Sequence, residues 1–185
     1  MKTPSGHNVY GMGAEYPSAA ALYEAAKSVR DAGFKRWDVH SPFPIHGMDD
    51  AMGLGKSWLS AAVLAGGITG LFTAVILEFG PSSLIYPLVV HGKPVGWKTV
   101  PAFFPIMFEL TVLFAAFAAF FAMLIMNGLP RWYHPVFNWE RFSRATNDGF
   151  FLIIEARDPR FREAETQQLL EQTGGQHVTV IHEED

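Results

Sequence analysis

Two long stretches with almost no charge constrain this chain more than anything else in it. Residues 57–79 carry one acid, Glu78, next to the end, and residues 100–129 carry one charged side chain, Glu109. A helix needs about 20 predominantly apolar residues to cross the hydrocarbon core of a bilayer, so the sequence predicts two transmembrane helices. Averaging hydropathy over the whole chain hides this, because polar ends offset the two spans. Residues 1–56 and 130–185 hold nearly all of the charge. Either end alone is marginal as a domain, and the two together are long enough for one.

The net charge of -4 provides no basic surface for nucleic acid. The sequence contains no cysteine, which excludes a disulfide, a thiolate-ligated iron–sulfur cluster and a haem attached through Cys-x-x-Cys-His. Any redox cofactor near this chain is expected on another one. The first 30 residues lack the basic and apolar regions of a signal peptide, so the first span is expected to act as its own insertion signal.

Lysine and arginine close to the spans set the expected orientation. Lys93 and Lys98 lie in the connection, against Lys56, Arg131, Arg141 and Arg144 on the flanks. The excess on the flanks places both termini in the cytoplasm. Residues 80–99, with Pro81, Pro87, Gly92, Pro94 and Gly96, are then a turn-rich periplasmic loop. Trp97 suits the outer interface, and Trp58 with the pair Trp132 and Tyr133 suits the inner one.

The soluble ends share one order of elements. Asn8 to Glu15 is a predicted strand, Ala19 to Asp31 a helix with Leu22, Ala25, Ala26 and Val29 on one face, and Arg36 to His40 a short strand. Pro17 and Ser18 stand where a helix starts, and Gly33 where it stops. At the other end, Gly149 to Ala156 is rich in aromatic and β-branched residues, Asp158 and Pro159 begin a helix running through Glu171, and His177 to His182 is a last strand after Gly174 and Gly175. Neither half buries its apolar face alone. The fold class expected is therefore an α+β membrane protein, with a two-helix transmembrane hairpin inserted in a split β-α-β-β-α-β, ferredoxin-like cytoplasmic domain. Its parts are residues 1–56, the spans 57–79 and 100–129 with the loop 80–99 between them, and residues 130–185.

Glu109 is the sharpest candidate for chemistry. It lies about 12 Å along the axis past Pro101, and a carboxylate at such depth costs about 2.5–3.5 kcal/mol even on lenient insertion scales, so it faces protein or water. It is either a proton-relay group or a structural hydrogen-bonding group between helices. Glu78 is a weaker case that reaches the interface at the end of its span. Ala62, Gly66, Gly70 and Ala74 follow a four-residue spacing, as do Ala115 with Ala119 and Ala118 with Ala122. Such small-residue faces let helices approach closely, and Gly66, Gly70, Ala115 and Ala119 are the expected packing residues. Phe114, Phe117, Phe120 and Phe121 form a bulky face for lipid or subunit contact. His40, His46, Asp49 and Asp50 are metal-capable side chains, but their spacing fixes no ligand geometry. Gly66-Gly67-x-x-Gly70 follows no strand, so it is no phosphate loop. No nucleophile stands at a recognisable spacing from a base, and no catalytic, cofactor-binding or metal residue is assigned.

Three segments together carry a family resemblance: Ser41-Pro-Phe-Pro-Ile-His-Gly-Met-Asp-Asp-Ala-Met-Gly-Leu54, Pro105-Ile-Met-Phe-Glu-Leu-Thr-Val-Leu-Phe114 and Asn127-Gly-Leu-Pro-Arg-Trp-Tyr-His-Pro-Val-Phe137. Over about Tyr10 to Asp158 the chain resembles the ActD-type membrane subunit of bacterial alternative complex III. The tail after Asp158 departs more freely. The resemblance implies a place in the bacterial inner membrane, in a quinol-oxidising assembly that delivers electrons to a periplasmic acceptor such as cytochrome c. It also implies haem c and iron–sulfur subunits as partners, polytopic subunits holding the quinol site, and no redox centre in this chain. The alternatives are a stand-alone membrane sensor whose ferredoxin-like domain binds a small ligand or metal, and a small ion-transport accessory.

Overall fold

The computed structural model describes residues 8–87 and 89–183. In chain order it runs β1 (Asn8–Tyr16), α1 (Ala19–Asp31), β2 (Trp37–His40), α2 (Met48–Met52), α3 (Leu59–Phe79), a π-helical turn (Gly80–Ile85), β3 (Val89–Val90), β4 (Lys93–Pro94), a 3-10 turn (Trp97–Thr99) and α4 (Val100–Met126). Two further 3-10 turns (Pro135–Asn138 and Glu140–Thr146) lead to β5 (Phe150–Glu155), α5 (Glu163–Gln172) and β6 (Gln176–Glu183). The chain divides into two compact units, one built from both ends, through Gly55 and from Trp132, and the other from Lys56–Arg131.

The first unit is a four-strand antiparallel sheet in the order β2-β5-β1-β6. Strands from the two ends of the chain alternate, so every ladder joins one end to the other. Met12 stands opposite Ile154 of β5 on one side and Val180 of β6 on the other, and Trp37 of β2 also faces Ile154.

One face of this sheet is covered by α1 and α5. Ser18 caps α1 by accepting a hydrogen bond from the Ala21 N–H at 3.2 Å, and Gly33 follows the helix at φ 81°, the left-handed conformation that a side chain disfavours. Leu22, Ala25, Ala26 and Val29 are buried with Met12, Ala14, Leu152, Ile154 and Leu170. The sequence places the start of the last helix at Asp158, and the structure delays it to Glu163. Asp158 is used otherwise. Its buried carboxylate accepts backbone N–H bonds from Lys35 at 2.6 Å, Arg36 at 2.8 Å and Arg160 at 2.8 Å, tying the approach to β2 to the turn after β5.

The other face is closed by residues for which the sequence suggests no element. Val136, Trp139 and Phe142, from the two 3-10 turns, pack with Phe151, Ile153 and Ile181. A register shift between Val9 and Gly11 turns Tyr10 to this side, although Met12 and Ala14 face the helices. Gly13 is required here, because a Cβ would stand 2.5 Å from the Trp139 ring. With both faces covered, β5 is a continuous apolar run instead of an alternating one. Glu15 is buried at the edge of this layer, and Arg141 and Arg144 each reach it at 2.8 Å.

In the second unit, α3 and α4 form an antiparallel helical hairpin. The connection expected to be turn-rich holds more regular structure than that. The π-helical turn prolongs α3, and β3 and β4 form a small hairpin whose loop, His91 and Gly92, has positive φ at both residues, as a type I′ turn demands. Trp58, Trp132 and Tyr133 are exposed, and the Trp97 side chain lies outside the described residues.

Burial pushes the Asp158 carboxyl up, while the N–H bonds from Arg160, Lys35 and Arg36, with the Arg160 charge, outweigh it and hold the group below its ordinary value. Its contribution is therefore complete above the unfolded value of about 3.9 and is lost as pH falls through the lower folded value. Asp158→Ala, which strands three N–H groups, is expected to destabilise the sheet unit by about 2–3 kcal/mol. Amide hydrogen exchange of the full chain in detergent should show β2 and β5 losing protection together. Unchanged protection would mean that the carboxylate does not tie the two halves.

Candidate functional site

Small residues set the geometry of the helical hairpin. Gly67, Gly70, Ala74 and Glu78 form the buried stripe of α3. At Gly70 a Cβ would stand 2.3 Å from the Leu110 carbonyl oxygen, and at Gly66 2.5 Å from Ala118 Cβ and 2.8 Å from the Phe114 carbonyl oxygen. Gly67 has room, with Ala115 Cβ and Thr111 Cγ2 both at 3.7 Å. Gly66 and Gly70 thus lie against the chain's own α4, where Ala115 and Ala119 are half-buried. Phe79 and Phe103 close the loop end with ring centroids 5.0 Å apart. Phe117, Phe120 and Phe121 are exposed, whereas Phe114 backs onto Gly70.

The threonine hydroxyls within the helices are engaged locally. Thr69 donates to the Ala65 carbonyl at 2.8 Å, Thr73 to Thr69 at 2.8 Å and Thr111 to Met107 at 2.6 Å. None serves a carboxylate.

The two acids of the hairpin occupy opposite environments. Glu109, the tenth residue of α4, is exposed and accepts no hydrogen bond among the described residues. Glu78, expected to reach the interface, is instead buried in the hairpin at 8% exposure. Neither of its carboxylate oxygens has a partner among the described residues, nor does the buried Ser83 hydroxyl. The Ser82 hydroxyl donates to the Glu78 backbone carbonyl. Since Gly70 meets Leu110 and Gly66 meets Phe114, the antiparallel register sets Glu78 level with Ala102, about 10 Å along the axis from Glu109. An apolar cavity of about 500 Å³ lies near this end, lined by Val75, Phe79, Gly96, Val100 and Met107.

In the sheet unit, the metal-capable residues of the sequence separate. His40 packs edge-on against Phe142 with centroids 4.9 Å apart, while His46, Asp49 and Asp50 are exposed. Burial pushes the His40 imidazole below its ordinary value, opposed by the Asp38 charge. Among the described residues, no three His, Cys, Asp or Glu side chains converge as metal ligands. Sequence reasoning missed His134. Its Nδ1 accepts the Val136 N–H at 3.3 Å, so the neutral ring carries its proton on Nε2, 3.2 Å from the Tyr10 hydroxyl. Tyr10, Asp38, His40, His134 and Glu155 surround a cavity of about 80 Å³.

An antiparallel α/β unit joined to two helices, each 27 residues when α3 is counted with its π-helical turn and apolar enough to cross a bilayer, defines a small membrane protein of mixed α/β class. The family model for the ActD subunit of alternative complex III matches residues 10–180, and the chain belongs to that family. It is thus a subunit of a multisubunit electron-transport complex. No curated protein matches the chain.

The glycine geometry separates neighbours that look alike in sequence. Gly70→Ala and Gly66→Ala are expected to destabilise the hairpin by about 1–3 kcal/mol through overpacking, and Gly67→Ala to be neutral, as read by thermal denaturation in detergent. Equal effects at all three positions would place the close contact elsewhere. Glu78→Leu removes an uncompensated buried carboxylate and should raise stability. A loss of stability confined to the assembled complex would show that a donor from another subunit reaches Glu78.

Proposed function

We propose that this chain is a cofactor-free structural subunit of alternative complex III, holding the polytopic quinol-site subunits in place. Membership of the ActD family over residues 10–180 carries this reading. The absence of cysteine from the sequence supports it, since thiolate-held clusters and covalently attached haem c then belong to partner subunits; the quinol is assigned to the polytopic partners. The hairpin packs in the bacterial inner membrane, and both termini are cytoplasmic. The sheet unit is a ferredoxin-like split β-α-β-β-α-β domain in which the hairpin is inserted between the second and third strands. The strand order β2-β5-β1-β6 supports that topology, and an even number of spans returns the chain to the side it left. Glu109 belongs to a proton path at a subunit boundary, a role favoured by its exposure and its want of a partner among the described residues.

A C-terminal tag on the native protein, solubilised in mild detergent, is expected to recover larger polytopic subunits and c-type haem that quinol reduces. A haem-free chain, alone or self-associated, would overturn the subunit reading in favour of a membrane-anchored sensor with a ligand-binding domain. Glu109→Gln should assemble normally yet lower proton-coupled turnover, measured as acidification per quinol oxidised. Normal turnover with normal coupling would remove the relay.

A further inference from the structure

We infer that the face of α4 centred on Glu109 is a protein interface, and that its occupant is a membrane-spanning helix of a partner subunit that brings a hydrogen-bond donor to the Glu109 carboxylate. The inference rests on the subunit reading above and names what that subunit touches.

The face is defined by the helix itself. Pro105, Ile106, Glu109, Val112, Leu113 and Ala116 follow one another at three- and four-residue intervals, and all are exposed. Thr111, two residues beyond Glu109 and therefore turned by about 200°, lies against Gly67 of α3. Glu109 thus points away from its own hairpin.

Depth excludes bulk water as the partner at that face. A helix of 27 residues is about 40 Å long, and Glu109 lies about 13.5 Å from its start. A hydrocarbon core of about 30 Å, wherever it falls along that length, includes this position. Lipid tails have no donor to offer, and leaving the acid among them is costly.

With Glu109 ionised, the face itself presents acceptors only. None of its side chains is a donor, and the threonine hydroxyls of the hairpin are spent on backbone carbonyls. Pro105 adds to the demand. Lacking an N–H, it withholds the usual helical donor from the Pro101 carbonyl, which points toward the same face. A second copy of this chain docking through the same face would set one Glu109 carboxylate against another. A different helix, bearing a cationic, hydroxyl or indole donor, complements it. Ala116 is small enough beside Leu113 to admit its side chains.

The test uses the intact complex in native membranes, with a photo-crosslinking residue replacing Ile106 or Leu113 in separate variants. The expected adduct joins this chain to a polytopic subunit, at a membrane-spanning peptide that carries a donor. Glu109→Leu is expected to lower recovery of the complex about tenfold, equivalent to about 1.4 kcal/mol, and Glu109→Gln to stay within about twofold, because the amide still accepts a hydrogen bond. Leucine inserts more readily than glutamate, so such a loss cannot come from failed insertion. Lipid adducts alone, adducts between two copies of the chain, or full recovery of Glu109→Leu would each overturn the inference. If an intact haem-bearing complex gives any of these, only the interface falls. If the chain purifies without haem-bearing partners, the subunit reading falls as well.

Discussion

Strand pairing between the two ends of the chain is the interaction on which the rest depends. In the order β2-β5-β1-β6, no two strands from the same end are neighbours. β1 and β2 therefore cannot form a ladder until β5 comes between them, and β6 has only β1 to pair with. A two-stranded ribbon is marginal in water, so neither end is a domain without the other. Asp158 reinforces this by bonding backbone N–H groups from both ends of the chain. The connection between β2 and β5 can accordingly be long, because loop entropy grows slowly with length and the α3–α4 hairpin has its own packing.

Helix periodicity made most of this legible. Leu22, Ala25, Ala26 and Val29 mark the buried face of α1 in the sequence and are the residues buried in the structure. The apolar spans likewise announce α3 and α4. What the sequence could not announce was the second cover of the sheet. Val136, Trp139 and Phe142 lie on short 3-10 turns whose spacing matches neither helix nor strand, so no periodicity marks them. The clue lay in β5 instead. An unbroken run of Phe150 to Ile154 implies burial on both faces, whereas two helices cover only one. The late start of α5 has a similar cause. Asp158 followed by Pro159 satisfies the local rule for a helix start, but the carboxylate is taken by Lys35 and Arg36, more than a hundred residues away, and local rules do not see such partners.

The small-residue stripe illustrates a different limit. Four-residue spacing says that a helix approaches closely, without saying which one. The structure assigns Gly66 and Gly70 to the chain's own α4, and it distinguishes them from Gly67, which the sequence cannot. Close approach here is a matter of backbone against backbone. The Leu110 and Phe114 carbonyls occupy the space that side chains on α3 would need, so the hairpin's register is fixed by its own two helices.

That internal register gives the two acids their different meanings. Hydropathy supplies depth, and by depth Glu109 is the more costly acid and Glu78 the one able to reach the interface. Depth says nothing about which face a residue occupies. The glycine contacts settle this by turning the Gly70, Ala74 and Glu78 stripe inward and Thr111 toward Gly67, which leaves Glu109 on the side away from α3. A buried acid lacking a donor weakens the packing around it, whereas an exposed acid lacking a donor at bilayer depth demands something outside the chain. The hairpin is therefore complete as a packed pair of helices and incomplete as a hydrogen-bonded one.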